Sequence, residues 1–171
     1  MGAGKMDGAV LTGALRAQVV DPQEVGVYHP DAERRDALAG AYGVQGLDDD
    51  GVDRAQALLI AVKPQSFAEV APLIARRSAL FISLMAGVSA DTVARRVGSR
   101  RVIRTMPNLG ASQGRSTTAL TALSEATHDD VCFTEKLFGA IGSVHHLPER
   151  LFDAFTGLVG SGPAFMAVVA E

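Results

Sequence analysis

The chain has no tryptophan and one cysteine, and Phe, Tyr and Trp together make up only 5% of its 171 residues. The single Cys132 excludes an internal disulfide and any metal site built on several thiolates. It lies in an apolar stretch and reads as an inert buried thiol. No apolar run reaches the ~18 residues a bilayer span needs. The glycine-rich start lacks the basic-then-apolar order of a secretory signal. A cytoplasmic setting without a membrane partner is the expectation. Charge of neither sign dominates: the net value is −3. That balance argues against nucleic acid as a partner. The arginines cluster in pairs, at Arg34-Arg35, Arg76-Arg77, Arg95-Arg96 and Arg100-Arg101, and read as solvated helix ends. No metal site is expected.

What is present is a core. Hydrophobic residues make up 47% of the chain and the mean hydropathy is +0.17. Short apolar runs alternate with amphipathic stretches, the pattern of βαβ units and a mostly parallel sheet. Ala9, Val10, Gly13, Ala14 and Ala17 recur at helical spacing after the opening glycines. Strands are expected at Val25–Tyr28, Ala57–Val62, Leu80–Leu84, Val102–Thr105 and, late in the chain, Ser143–Leu147, with a weaker one at Thr117–Leu123. Ser66-x-x-Glu69 and Thr127-x-x-Asp130 have the spacing of helix-capping boxes. Pro30 suits a helix start, Ser89 a helix cap, and Gly142 a helix stop.

The opening residues Gly2-Ala3-Gly4-Lys5-Met6 form a Gly-x-Gly turn that runs into a helix. Glycines let the backbone approach a diphosphate, and the helix start directs free N–H groups at it. The third small position of this fingerprint holds Asp7, whose carboxylate opposes a diphosphate, with Lys5 as partial offset. NAD enzymes carry an acid at the end of the second strand for the ribose 2′-hydroxyl. This chain has Tyr28-His29-Pro30 there, with Arg34 and Arg35 nearby, so NADP is favoured over NAD. Ala61-Val62-Lys63-Pro64 and Leu84-Met85-Ala86 end two buried strands, where ligands of open α/β sheets gather. Asn108 comes after a third strand end, where its amide could meet a carboxamide or serve a turn.

In order, these motifs are Gly-x-Gly-x-Met, Ala61-Val62-Lys63-Pro64-Gln65, Ser83-x-x-Ala86-Gly87-Val88, Arg104-x-Met106-Pro107-Asn108 and Gly160-Ser161-Gly162-Pro163-Ala164. The series resembles pyrroline-5-carboxylate reductase from Gly2 to Glu171. The resemblance implies an α/β Rossmann-type NADP domain over residues 1–158. It also implies the start of a helical dimerisation domain over 159–171. It further implies a strand before the glycine loop and more helix after Glu171, so the sequence reads as a piece of a homo-oligomeric enzyme. By the same resemblance Gly2 to Met6 line the diphosphate and His29 to Asp31 approach the adenosine ribose. Ala61–Pro64 and Leu84–Ala86 contact the rest of the cofactor, and Asp50 approaches the adenosine. The implied reaction is hydride transfer to the C=N carbon of 1-pyrroline-5-carboxylate. No catalytic acid or base stands out, and the fragment is expected to be inactive alone. Two positions depart from the family pattern: Asp7, and Leu109-Gly110 where Thr-Pro is usual. Other readings are a different Rossmann reductase, of β-hydroxyacid dehydrogenase or deazaflavin-dependent type, or a non-catalytic nucleotide sensor. The final stretch Ala164–Ala170 is apolar on every helical face, which predicts an exposed or self-associating end.

Overall fold

A small-residue helix, α1 (Lys5–Arg16), opens the described part of the fold and lies against a sheet. The computed structural model describes residues 5–75 and 78–161. Gly2, Ala3, Gly4, Arg76, Arg77 and the expected helix over 164–170 therefore fall outside it. After α1 come β1 (Gly26–Tyr28), α2 (Ala32–Tyr42), β2 (Gln45–Leu47), α3 (Asp49–Asp53) and β3 (Ala57–Ile60). Next in the chain are α4 (Phe67–Ile74), β4 (Leu80–Ser83), α5 (Ala90–Val97) and β5 (Val102–Met106). The last elements are β6 (Ser116–Ala122), α6 (His128–Gly139), β7 (Gly142–His146), α7 (Phe152–Phe155) and a π-helical stretch, Thr156–Ser161.

The strands form two hydrogen-bonded groups. β1 and β2 pair in parallel, and β3 to β7 form a five-stranded sheet in sequence order. β3, β4 and β5 are parallel, β6 runs against β5, and β7 is parallel to β6. β4 and β5 are buried along their whole length, as expected of parallel strands covered on both faces. One core, with Phe81, Ile60, Val93 and Val97, packs α4 and α5 on one face, and Tyr28 joins the two-stranded group to it. The other, with Val10, Ala14, Ile82, Ile103, Leu120 and Phe138, packs α1 and α6. Glycine makes the second contact close: a Cβ on Gly13 would collide with the Ile141 side chain.

Several expectations are corrected. Ser66 makes no side-chain cap, because a 3-10 turn at Pro64–Ser66 leads into α4. Asp31, not Pro30, caps α2, accepting from the Arg34 N–H. Gly142 does not stop a helix: it opens β7 with φ +151°, so near the Ser116 backbone that a Cβ would clash. Cys132 is half-buried, with Sγ 3.4 Å from His128 Nε2.

The Thr127 capping box forms as its spacing predicts and does more than cap. Asp130 also receives Arg101 in a two-pronged pair, Nη2–Oδ1 at 2.7 Å and Nε–Oδ2 at 2.8 Å. Those hydrogen bonds outweigh burial and hold the carboxyl down to about 2 from 3.8. Arg101 is itself 37% exposed, so solvent screens part of the gain. Asp130→Asn should therefore cost about 1–2 kcal/mol at neutral pH. The native value lies below the unfolded one, so this contribution is complete above about 3.8 and fades as pH falls toward about 2. Urea unfolding of the two proteins should differ at pH 7 and converge near pH 2; a gap that persists in acid would refute the assignment.

Candidate cofactor cleft

The parallel register brings the strand ends together. Ile60 pairs with Ser83, and Ser83 with Arg104, so Ala61 and Leu84 leave the sheet side by side at the level of Thr105, while β5 runs on to Met106. The Leu84 N–H donates to the Ile60 carbonyl at 3.0 Å, which carries the ladder one residue past β4. The first turn of α1 and the 3-10 turn Leu109–Gln113 close over these ends. Between them lies a cavity of about 380 Å³, lined by Met6, Asp7, Ala9, Ala61, Val62, Leu84, Leu109, Ala111 and Ser112. Four residues expected at a cofactor, Met6, Ala61, Val62 and Leu84, thus meet in one place. So do Asp7 and Leu109, the two positions that break the family pattern.

The other expected residues are placed differently. Lys5 begins α1. Lys63 and Pro64 are exposed just beyond the cavity wall. Met85 is 1% exposed and belongs to the core, so only its backbone is presented; its N–H donates to Ser83 Oγ at 3.3 Å. Ala86 is exposed. Asn108 is committed internally: Oδ1 accepts from the Gly110 and Thr117 N–H groups, each at 3.2 Å. Its Nδ2 donates to the Val159 carbonyl at 3.2 Å. That amide fastens the π-helical stretch to the end of β5.

Beyond β1, Asp31 N–H donates to His29 Nδ1 at 3.0 Å. With Nδ1 accepting, the neutral ring carries its proton on Nε2. Pro30 is exposed between them. Arg34 is exposed, and its side chain makes no hydrogen bond or ion pair among the described residues, whereas Arg35 pairs with Asp36 at 3.3 Å. Asp50, expected in a loop, sits exposed on α3. The acid that reaches the end of β1 is its neighbour: Tyr28 hydroxyl donates to Asp49 Oδ1 at 2.7 Å. Nothing in the spacing marks Asp49, because α3 is too short to show a period. Among the described residues no cluster of His, Cys, Asp and Glu could hold a metal ion. No helix among them is long and apolar enough to cross a membrane.

Residues 1–87 match the family described as NADP oxidoreductase, coenzyme F420-dependent. The whole chain is 47% identical to pyrroline-5-carboxylate reductase of Thermus thermophilus and 35% identical to that of Synechocystis. It spans 66% of the length of each. A solved structure of 1-pyrroline-5-carboxylate reductase from Streptococcus pyogenes superposes with a TM-score of 0.89 at 29% identity. That match covers 99% of this chain and 65% of the other.

Asn108→Ala would leave two backbone donors and one carbonyl without their partner. The expected loss is about 2–3 kcal/mol, read as a lowered thermal midpoint, with faster amide exchange at 156–161. An unchanged midpoint would show that the staple is replaceable by water.

Proposed function

The chain belongs to the pyrroline-5-carboxylate reductase family, and we propose from that premise that it is the NADP-binding part of an enzyme reducing 1-pyrroline-5-carboxylate to L-proline. The observation that carries this reading is the cavity where α1, Ala61-Val62 and Leu84 converge at the strand ends. The family match ends at Gly87, so its description speaks to the nucleotide and not to the second substrate. The similarity to the reductases runs the whole length of the chain.

Bound NADPH supplies a hydride to the imine carbon. The chain's own residues bind and orient. Gly2 to Met6, which precede and begin α1 in the sequence, are the residues that would take the diphosphate through backbone N–H groups. Ala61, Val62 and Leu84 offer short apolar walls that exclude water from the nicotinamide side. His29 Nε2 and Arg34 supply donors for the 2′-phosphate, while Arg35, paired with Asp36, serves less. Lys63, Pro64, Met85 and Ala86 act through position and backbone, Asp50 stays on the adenosine side, and Asn108 shapes the wall. A protonated imine is already electrophilic, so positioning does most of the work. The remaining substrate contacts come from the helical domain beyond 158 in a cytoplasmic homo-oligomer.

NADPH titrated into the chain should raise its thermal midpoint without oxidation when 1-pyrroline-5-carboxylate is added. A fusion to the carboxyl-terminal third of the Thermus thermophilus relative should oxidise it. Failure of both to bind NADPH would sink the reading. Arg34→Ala should weaken NADPH about tenfold, the scale of one exposed charge-assisted hydrogen bond, and leave NADH unchanged. Equal losses would show that Arg34 does not read the phosphate.

Asp7 lines the cavity that the diphosphate would border. Like charges about 4 Å apart repel by about 1 kcal/mol in the water-like dielectric of an open site. Asp7→Asn should tighten NADPH by about three- to tenfold at low salt. Weaker binding would mean instead that the carboxylate accepts a cofactor hydroxyl.

A further inference from the structure

Arg104 is the one charged residue in β5, and it is 4% exposed among Val102, Ile103, Thr105 and Met106. Its Nη1 reaches Glu149 Oε1 at 2.9 Å. Its guanidinium carbon lies 4.6 Å from the centre of the Phe152 ring. Its Nε is buried with no hydrogen-bond partner. A buried donor left unmade costs about 1–3 kcal/mol, and an apolar side chain would fill the site without that cost. Packing does not account for an arginine here. The groups it holds do.

The same Glu149 oxygen accepts the Ala90 N–H at 2.6 Å, at the first residue of α5. A carboxylate is favoured at a helix start by the free N–H groups and the dipole. The segment between β4 and α5, residues 84–89, begins with Leu84 on the cavity wall. Its front end is fixed where Ser83 pairs with Arg104 across the sheet. Its back end is fixed at Ala90 by Glu149, which Arg104 holds. The front end is held by the backbone ladder, and the back end by the Arg104 side chain through Glu149. Glu149 also begins the chain's course through Phe152, packed on Met106 and Ala119, to the stretch fastened by Asn108.

We infer that Arg104 is a positioning residue of the cofactor cleft, setting segment 84–89 through Glu149 and tying it to the helical connector at 149–161. This role rests on the cofactor reading of the cleft, and the test separates the two.

Arg104→Met, Arg104→Lys, Glu149→Ala and the Arg104→Met/Glu149→Ala double variant are compared with wild type in the full 171-residue chain. NADPH affinity is read by fluorescence titration, and amide exchange is read at 85–92. Arg104→Met and Glu149→Ala should each weaken NADPH about tenfold and speed exchange at Ala90. The double variant should be no weaker than the worse single one, because both act through one route. Arg104→Lys should recover part of the affinity. Asp130→Asn, which breaks an ion pair at the other end of β5, should lose stability but keep wild-type affinity. The proposal is overturned if Arg104→Met binds NADPH as wild type does, or if Asp130→Asn weakens it equally. If wild type binds no NADPH, the cofactor reading falls by itself and exchange decides this one: a wild-type rate at Ala90 in Arg104→Met overturns it. Should Arg104→Met fail to fold, Glu149→Ala and Arg104→Lys carry the same comparisons.

Discussion

The register of three parallel strands determines where the rest of the cleft can lie. Parallel strands must be buried on both faces, so β3, β4 and β5 hold apolar side chains above and below. Most polar chemistry is then left to where the strands stop, with Arg104 inside β5 a buried exception. Because Ile60 and Ser83 share one level of the ladder, the exits of β3 and β4 are neighbours. A slip of one residue would turn Phe81 and Ile82 to opposite faces and empty both cores. Burial of those side chains is what aligns Ala61 with Leu84, far more than any contact in the cleft.

The second requirement is the closeness of α1 to the sheet. Its walls are Val10 and Ala14, each 0% exposed, and Gly13 against Ile141. Small residues bring the helix start down to the level of the strand ends. The first-turn residues Met6 and Asp7 then face Ala61 and Leu84 across a space of about 380 Å³. Leucine at 13 or 14 would lift the helix and widen that space. The packing face of α1 and its cavity-facing end are therefore a single design, set by residue volume.

The parts legible in the sequence are those with a strong local signal. The buried strands at 57–60 and 80–83 stand out as continuous apolar runs, and Thr127-x-x-Asp130 and Ser89 cap helices as their spacing implies. The meeting of Met6, Ala61, Val62 and Leu84 accords with the rule that ligands sit at strand ends. The hidden parts depend on three dimensions. β2 and α3 are too short to carry a period, so Asp49 at Tyr28 leaves no trace. Gly142 has the look of a helix stop, but its glycine answers a close approach of Ser116, distant in sequence. Ser66 has the right spacing for a cap, but Pro64 starts a 3-10 turn and removes the geometry. Arg104 and Arg101 look alike in the sequence. Only burial separates a half-exposed pair with Asp130 from an enclosed guanidinium.

That contrast bears on how a nucleotide domain communicates with the chain beyond it. Two polar fasteners join β5 to the connector: Arg104 through Glu149, and Asn108 through the Val159 carbonyl. Arg104 lies in β5 and Asn108 two residues past its end. The connector between them is stiffened by Phe152, fully buried on Met106 and Ala119. A shift of the strand end therefore moves the connector and the 84–89 segment together, since both are anchored through it. Apolar packing alone would let the connector slide, because dispersion contacts are non-directional. Directional bonds to one strand hold it at a single position.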